Sequence, residues 1–185
     1  MQVDRAILIA MLRRDYEGQV CSIARTLELV GDRWTLLILR DVALGVHRFD
    51  QLLDSLGVAS NILTDRLNRL VTAGVLDRVP YNARPERFEY RLTRKGRELG
   101  VALLALMQWG DRHLSEKPPR IARRRSDRSP ISVQLVAADG SLIAPGDLEI
   151  VPGPGALPKG PTDHVRSPRG VRRGARRSHP RPTRR

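Results

Sequence analysis

The chain has 185 residues, of which 41% are hydrophobic, and a formal net charge of +13, which bounds it to one ordinary domain with appendages. Its single cysteine, Cys21, excludes an intrachain disulfide framework and a zinc site of several thiolates, and fits a reducing cytoplasm. No apolar run reaches the ~20 residues of a membrane helix, and the short run over residues 6–12 has no clear small-residue cleavage site after it. Residues 1–117 carry 18 Lys or Arg against 15 Asp or Glu, and residues 118–185 carry 15 against 5. The excess charge therefore belongs to the last third, and the overall basicity says little about the folded part.

The first predicted helix covers 21–30, with Ile23, Ala24, Leu27 and Val30 at helical spacing. Gly31 is expected to end it in a left-handed conformation, and Asp32 to cap the next. That helix, 34–44, is apolar nearly all round, which predicts a buried central position. A short helix over 50–56 carries Leu52, Leu53 and Leu56, Gly57 breaks the chain, and a further helix covers 60–73. Two short helices about a Gly-containing turn form a helix-turn-helix. The period then changes: 75–81 and 88–93 read as strands, the second alternating Phe88, Tyr90 and Leu92 with polar residues. Residues 82–87 form the turn between them. Thr93 is expected to cap a long helix over 94–115, whose apolar face is wider than one small domain buries. A second copy of the chain is its natural cover.

After Lys117 the character shifts. Residues 118–130 read as a linker, and residues 131–151 as a small hairpin turning at Asp139-Gly140, too small to fold without leaning on the main domain. Residues 164–185 carry nine Arg and no acidic residue, a composition that predicts disorder. The expected organisation is an N-terminal segment 1–15, a domain over 16–117, an extension over 118–155 and an Arg-rich tail over 156–185. Met11 offers an ordinary start, which would make 1–10 a mis-called beginning.

The order of elements is that of a winged helix: mainly α with a small β-hairpin wing, dimeric, with a partly disordered basic C-terminal extension. Such a fold presents a helix to the DNA major groove and a wing to the backbone or minor groove, so double-stranded DNA is the expected partner. On a wheel of 60–73, Leu63, Leu67 and Leu70 face inward, and Asn61, Asp65, Asn68 and Thr72 face outward, flanked by Thr64 and Arg69. Asn can bond adenine bidentately and Thr can touch a thymine methyl. Arg66 lies nearer the buried edge, where a phosphate contact or an internal ion pair suits it better than base reading. Ser60 can cap the helix or offer its hydroxyl and N–H to a phosphate. Arg84 and Arg87 are the expected wing contacts, and Arg48 a further phosphate contact.

Cys21-Ser22-Ile23-Ala24, Gly31-Asp32-Arg33-Trp34-Thr35-Leu36-Leu37-Ile38-Leu39-Arg40-Asp41, Arg48-Phe49, Leu63-Thr64-Asp65-Arg66-Leu67 and the wing from Pro85 to Thr93 together resemble the HxlR-type regulators, relatives of the MarR winged helices. The resemblance covers about residues 16–114. It implies a homodimer, paired through the long helix and the N-terminal segment, on inverted-repeat operators near promoters, acting as repressor or activator. It also implies a sensor role for Cys21, since some members respond to oxidants or electrophiles through a cysteine there. Helix N-terminal N–H groups stabilise a thiolate, with Arg25 one turn on. The sequence departs from the pattern at Ser22, where many members have Pro, and before Tyr16. Residues 133–155 resemble an extension found in some members.

His47, His113, His164 and His179 have no metal-ligand spacing, and no nucleophile–base set, paired carboxylates or phosphate-cradling loop is present. Neither an enzyme nor a cofactor is expected. The competing expectation is a non-specific nucleic-acid binder driven by the Arg-rich tail, which deletion of that tail would separate from operator binding.

Overall fold

The computed structural model describes Tyr16 and residues 21–156. The expectations for segment 1–15, the Met11 start, the Arg-rich tail beyond residue 156, His164 and His179 lie outside the described residues. The elements run α1 (Ser22–Val30), α2 (Thr35–Ala43), α3 (Phe49–Leu56), α4 (Ser60–Thr72), β1 (Leu76–Ala83), β2 (Glu86–Leu92), α5 (Arg94–Glu98), α6 (Gly100–His113), then two-residue strands β3 (Leu135–Val136) and β4 (Leu142–Ile143) and a 3-10 turn at Pro145–Asp147.

The core is built on α2, as its all-round apolarity predicts. Ile38 and Leu39 of α2, Leu52 of α3, and Leu63, Leu67 and Leu70 of α4 are wholly buried, joined by Val75, Leu76 and Tyr90 from the wing. Each such side chain contributes roughly 1.5–3 kcal/mol of apolar burial. Asp41 is buried among them, an unexpected place for a carboxylate. It accepts from Arg40 Nε at 2.7 Å and from Ser55 Oγ at 2.7 Å, so both oxygens are satisfied and α2 is tied to α3.

Two local expectations, at Gly31 and Asp32, are corrected around the first two helices. Ile23 and Leu27 are exposed, and only Ala24 and Val30 of the α1 stripe are buried. Gly31 ends α1 without turning left-handed: its φ is −76° and its N–H donates to Leu27 O at 2.7 Å. Glycine is required there for space, because an added Cβ would lie 2.5 Å from the Leu27 carbonyl oxygen. Asp32 does not cap α2, whose N-cap is Trp34 with no side-chain bond; its carboxylate turns to α4 instead. Gly57 does take the left-handed conformation, φ 60°, at the turn between α3 and α4, where a side chain would be strained.

The wing is an antiparallel pair in the register Leu76–Leu92, Arg78–Tyr90 and Pro80–Phe88, with a shift before Asn82–Arg87. Its strands run further than predicted, so the six-residue turn contracts to Arg84-Pro85, joined by a cis peptide bond. Residues 47–48 add a short third edge: Tyr90 N donates to His47 O at 2.8 Å and Arg48 bridges to Glu89. Thr93 caps α5 as expected, accepting from Gly96 N at 3.0 Å. Its hydroxyl also reaches Gly74 O at 2.8 Å, and Lys95 Nζ reaches Ala73 O at 2.9 Å. The end of the wing is thereby fastened to the end of α4, with a cation on its terminal carbonyls.

The long helix predicted over 94–115 is two segments. Leu99 keeps right-handed torsions but its N–H bonds back three residues, to Gly96 O at 3.2 Å. Gly96 and Gly100 flank this point, and glycine is a weak helix former. α6 has no buried residue; Val101, Leu106 and Trp109 are more than half exposed. The stretch predicted as a linker is an ordered loop, closed by Arg124 N to Ser129 O at 2.8 Å and by Ser129 Oγ to Asp127 Oδ1 at 2.7 Å. The small hairpin turns at Asp139-Gly140 as expected and leans on α6 through one side chain. Gln108 Nε2 donates to Ile131 O, and Gln108 Oε1 accepts from Val133 N, each at 2.9 Å. No helix among the described residues is long and apolar enough to cross a membrane, and no cluster there has a metal-ligand set.

Candidate nucleic-acid interface

α4 exists as an amphipathic helix because Leu63, Leu67 and Leu70 recur at helical spacing and fill the space over α2. Burial of that stripe fixes what the other side displays. Asn61, Thr64, Asp65, Asn68 and Thr72 are all exposed. Ser60 is the first helical residue and Ala59 the N-cap, with no side-chain cap bond, so the expected cap by Ser60 is not made. The Ser60 carbonyl accepts from Thr64 Oγ1 at 2.8 Å. That bond uses the Thr64 proton inside the helix, on a residue that is itself exposed.

The wing stands beside α4. An open cleft of about 610 Å³ lies between them, lined by Phe49 at the start of α3, Thr64 and Asn68 of α4, and Arg78, Arg87 and Phe88 of the wing. Asp50 and Glu86 also lie on it, so the cleft is not uniformly basic. The structure thus brings Thr64, Asn68 and Arg87 to one cleft. Arg84 is exposed at the hairpin tip, outside that cleft; its N–H donates to Asn82 Oδ1 at 3.5 Å. Arg48 precedes α3 and its guanidinium sits 4.4 Å from the Tyr81 ring centroid, which holds it against the wing.

Arg66 and Arg69 point elsewhere. Arg69 Nη1 lies 2.5 Å and Arg66 Nη1 3.2 Å from Asp32 Oδ2, and Arg69 Nη2 donates to Glu28 O at 3.0 Å. Arg66 also pairs with Asp65. Of the two alternatives open for Arg66, the internal ion pair is the one made in this structure.

Arg78 was missed. Its guanidinium lies 3.5 Å from the Phe88 ring centroid, on the cleft wall. Strand periodicity carries the signal: the register places Arg78–Tyr90 and Pro80–Phe88 on the same side as the pair of buried Leu76 and half-buried Leu92. Reading 75–81 as a strand without assigning its two faces conceals this exposed cation beside the Phe88 ring. Cys21 is the exposed N-cap of α1, with no side-chain cap bond.

Comparison with known proteins agrees with this layout. Residues 29–118 match the family model described as HxlR-like helix-turn-helix. An uncharacterised HTH-type transcriptional regulator of Mycobacterium tuberculosis is 45% identical over 150 residues, spanning 80% of this chain and 94% of the relative. A second HTH-type regulator, from Synechocystis, is 38% identical over 101 residues, 54% of this chain and 75% of the relative. Among solved structures, PA1607, described as a transcription factor, superposes with a TM-score of 0.64 at 39% identity, covering 72% of this chain and 96% of that one. PA1374 from Pseudomonas aeruginosa gives 0.54 at 41%, covering 74% and 95%. With the helix-turn-helix, the hairpin wing and these relatives in agreement, the chain belongs to the HxlR-like family of winged helix-turn-helix transcriptional regulators.

Proposed function

We propose that this protein binds operator DNA in a sequence-specific manner as a homodimer and so regulates transcription in the cytoplasm. The observation that carries the reading is the shared cleft, where Thr64 and Asn68 of α4 face Arg78 and Arg87 of the wing. Seated in a major groove, α4 offers Asn61 and Asn68 to base edges and the Thr64 methyl to thymine. The wing arginines, with Arg48 and Arg84, meet phosphates or the adjacent minor groove. Pairing through α6 and the N-terminal segment would cover Val101, Leu106 and Trp109, together with Ile23 and Leu27 of α1, all exposed in the single chain. Nothing in this account calls for catalysis.

A gel shift on the DNA upstream of its own gene, with excess competitor and near-physiological salt, tests this. A discrete band that resists competitor, with footprinted half-sites about one helical turn apart, is the expected result. A smear abolished by competitor would overturn sequence-specific binding there and favour non-specific attraction by the Arg-rich tail.

A further inference from the structure

Asp32 sits in the short connection between α1 and α2, yet its carboxylate is engaged by α4. Arg69 Nη1 at 2.5 Å and Arg66 Nη1 at 3.2 Å share its Oδ2 atom. The second Arg69 nitrogen donates to the Glu28 carbonyl, one of the last four of α1, at 3.0 Å. Arg66 is largely buried, its side chain 12% exposed, and Asp32 is 25% exposed. Arg66 Nε is fully buried with no partner. A cation in such a place is strongly tied to its counter-charge, because releasing it would leave a desolvated charge behind. These two arginines are also the only basic residues of α4. The face carrying Asn61, Thr64 and Asn68 is consequently left without a cation of its own, and facing positive charge comes from the wing.

The geometry points to Asp32 as a positioning residue that fixes how α4 is rotated about its axis, with Arg66 and Arg69 as its two tethers and not as DNA contacts. The leucine stripe sets only which side is inward, and apolar packing is not directional. Charge-assisted hydrogen bonds from guanidinium to carboxylate are directional. One such bond, from Arg69, and the Arg66 ion pair one helical turn away on α4, converging on the same oxygen atom, resist rotation of Asn61 and Asn68 relative to the wing. The tether stands on the geometry alone; its consequence for operator selection rests on the DNA-binding reading above.

The test uses the full-length chain as D32N, R69Q and the double variant, with two readouts. The first is hydrogen exchange of the free protein. D32N and R69Q are expected to speed amide exchange in α4 and the end of α1 by about tenfold, leaving the β1–β2 ladder unchanged. The second is fluorescence anisotropy on the upstream duplex and on a scrambled duplex, over a range of salt. Each single variant is expected to lower the ratio of the two affinities by about tenfold, and the double variant no further, as for residues acting as one unit. The slope of log affinity against log salt should stay as in the wild type, because no phosphate contact is lost. A slope reduced by about one in R69Q would overturn the proposal and make Arg69 a phosphate contact. Unchanged exchange in α4 of D32N would overturn it as well. Should D32N fail to fold, R69Q alone carries both comparisons. A wild type with no preference for the upstream duplex would count against the DNA reading only, and the exchange arm would still decide the tether.

Discussion

At the scale of single residues, the outward face of α4 is polar but carries no free positive charge. Asn61, Thr64 and Asn68 offer hydrogen bonds and a methyl group, the chemistry that separates one base pair from another, whereas phosphates are met by cations. Replacing Asn68 by Ala should therefore weaken the preferred duplex by about 1–3 kcal/mol and relax selection at one base position. Binding to unrelated DNA should stay nearly unchanged; competition against duplexes varied one position at a time reads both. The outward asparagines and the inward leucines of α4 were legible because a 3.6-residue period assigns both faces at once. Partner choice was not legible. An internal ion pair for Arg66 was one of two alternatives the helical wheel left open, but only the fold reveals that Asp32, more than thirty positions upstream, claims both Arg66 and Arg69. Asp41 was hidden for the same reason, since its burial depends on Ser55 arriving from another helix.

At the scale of elements, the proposed function divides the work between a wing that anchors and an α4 that reads. Changing both Arg84 and Arg87 to Ala should lower affinity for specific and unrelated DNA alike, and reduce the salt slope by about two. Anisotropy titrations at several salt concentrations measure that slope. The extension has its own electrostatics. In its two turns the Ser129 and Ser141 hydroxyls, and then their backbone N–H groups, hold the carboxyls of Asp127 and Asp139 below the ordinary 3.8. A depressed carboxyl stabilises the turn above its unfolded value and releases it as pH falls through the lowered one. Both turns should therefore be intact at neutral pH and open only below 3.8. The amide chemical shifts of Ser129 and Ser141, followed by NMR on acidification, should move in that range and not above it. Element types were legible throughout 21–113, since leucine spacing and strand alternation are local signals. Terminations were less so. Gly31 ends a helix by admitting a close carbonyl, and a helix predicted as continuous is interrupted at Leu99. Both outcomes are set by neighbouring packing and backbone bonding, beyond the reach of residue type alone.

At the scale of the whole molecule, the described residues leave an apolar surface exposed. The core closes over α2, but α6 adds nothing buried to it and shows Val101, Leu106 and Trp109 to solvent. The homodimer proposed above would remove this surface from water, and its two-fold pair would match two operator half-sites. Light scattering after gel filtration should give twice the chain mass for the wild type. Trp109→Glu should shift it toward the monomer and weaken operator binding about tenfold or more, while far-UV circular dichroism stays native, because Trp109 is outside the core of the single chain. Gln108, one residue before Trp109, has a different bearing. Its amide meets residues 131 and 133 as a peptide group would, giving one hydrogen bond and taking one, both to main-chain atoms. A joint that addresses only the main chain does not depend on which side chains the extension carries. Over generations the exposed side chains of Ile131 and Ser132 could change without touching this joint, whereas proline at position 133 would remove the N–H that Gln108 accepts and Gln108→Glu loses the donor at one stroke. The winged domain could in this way carry extensions of different sequence at one fixed joint.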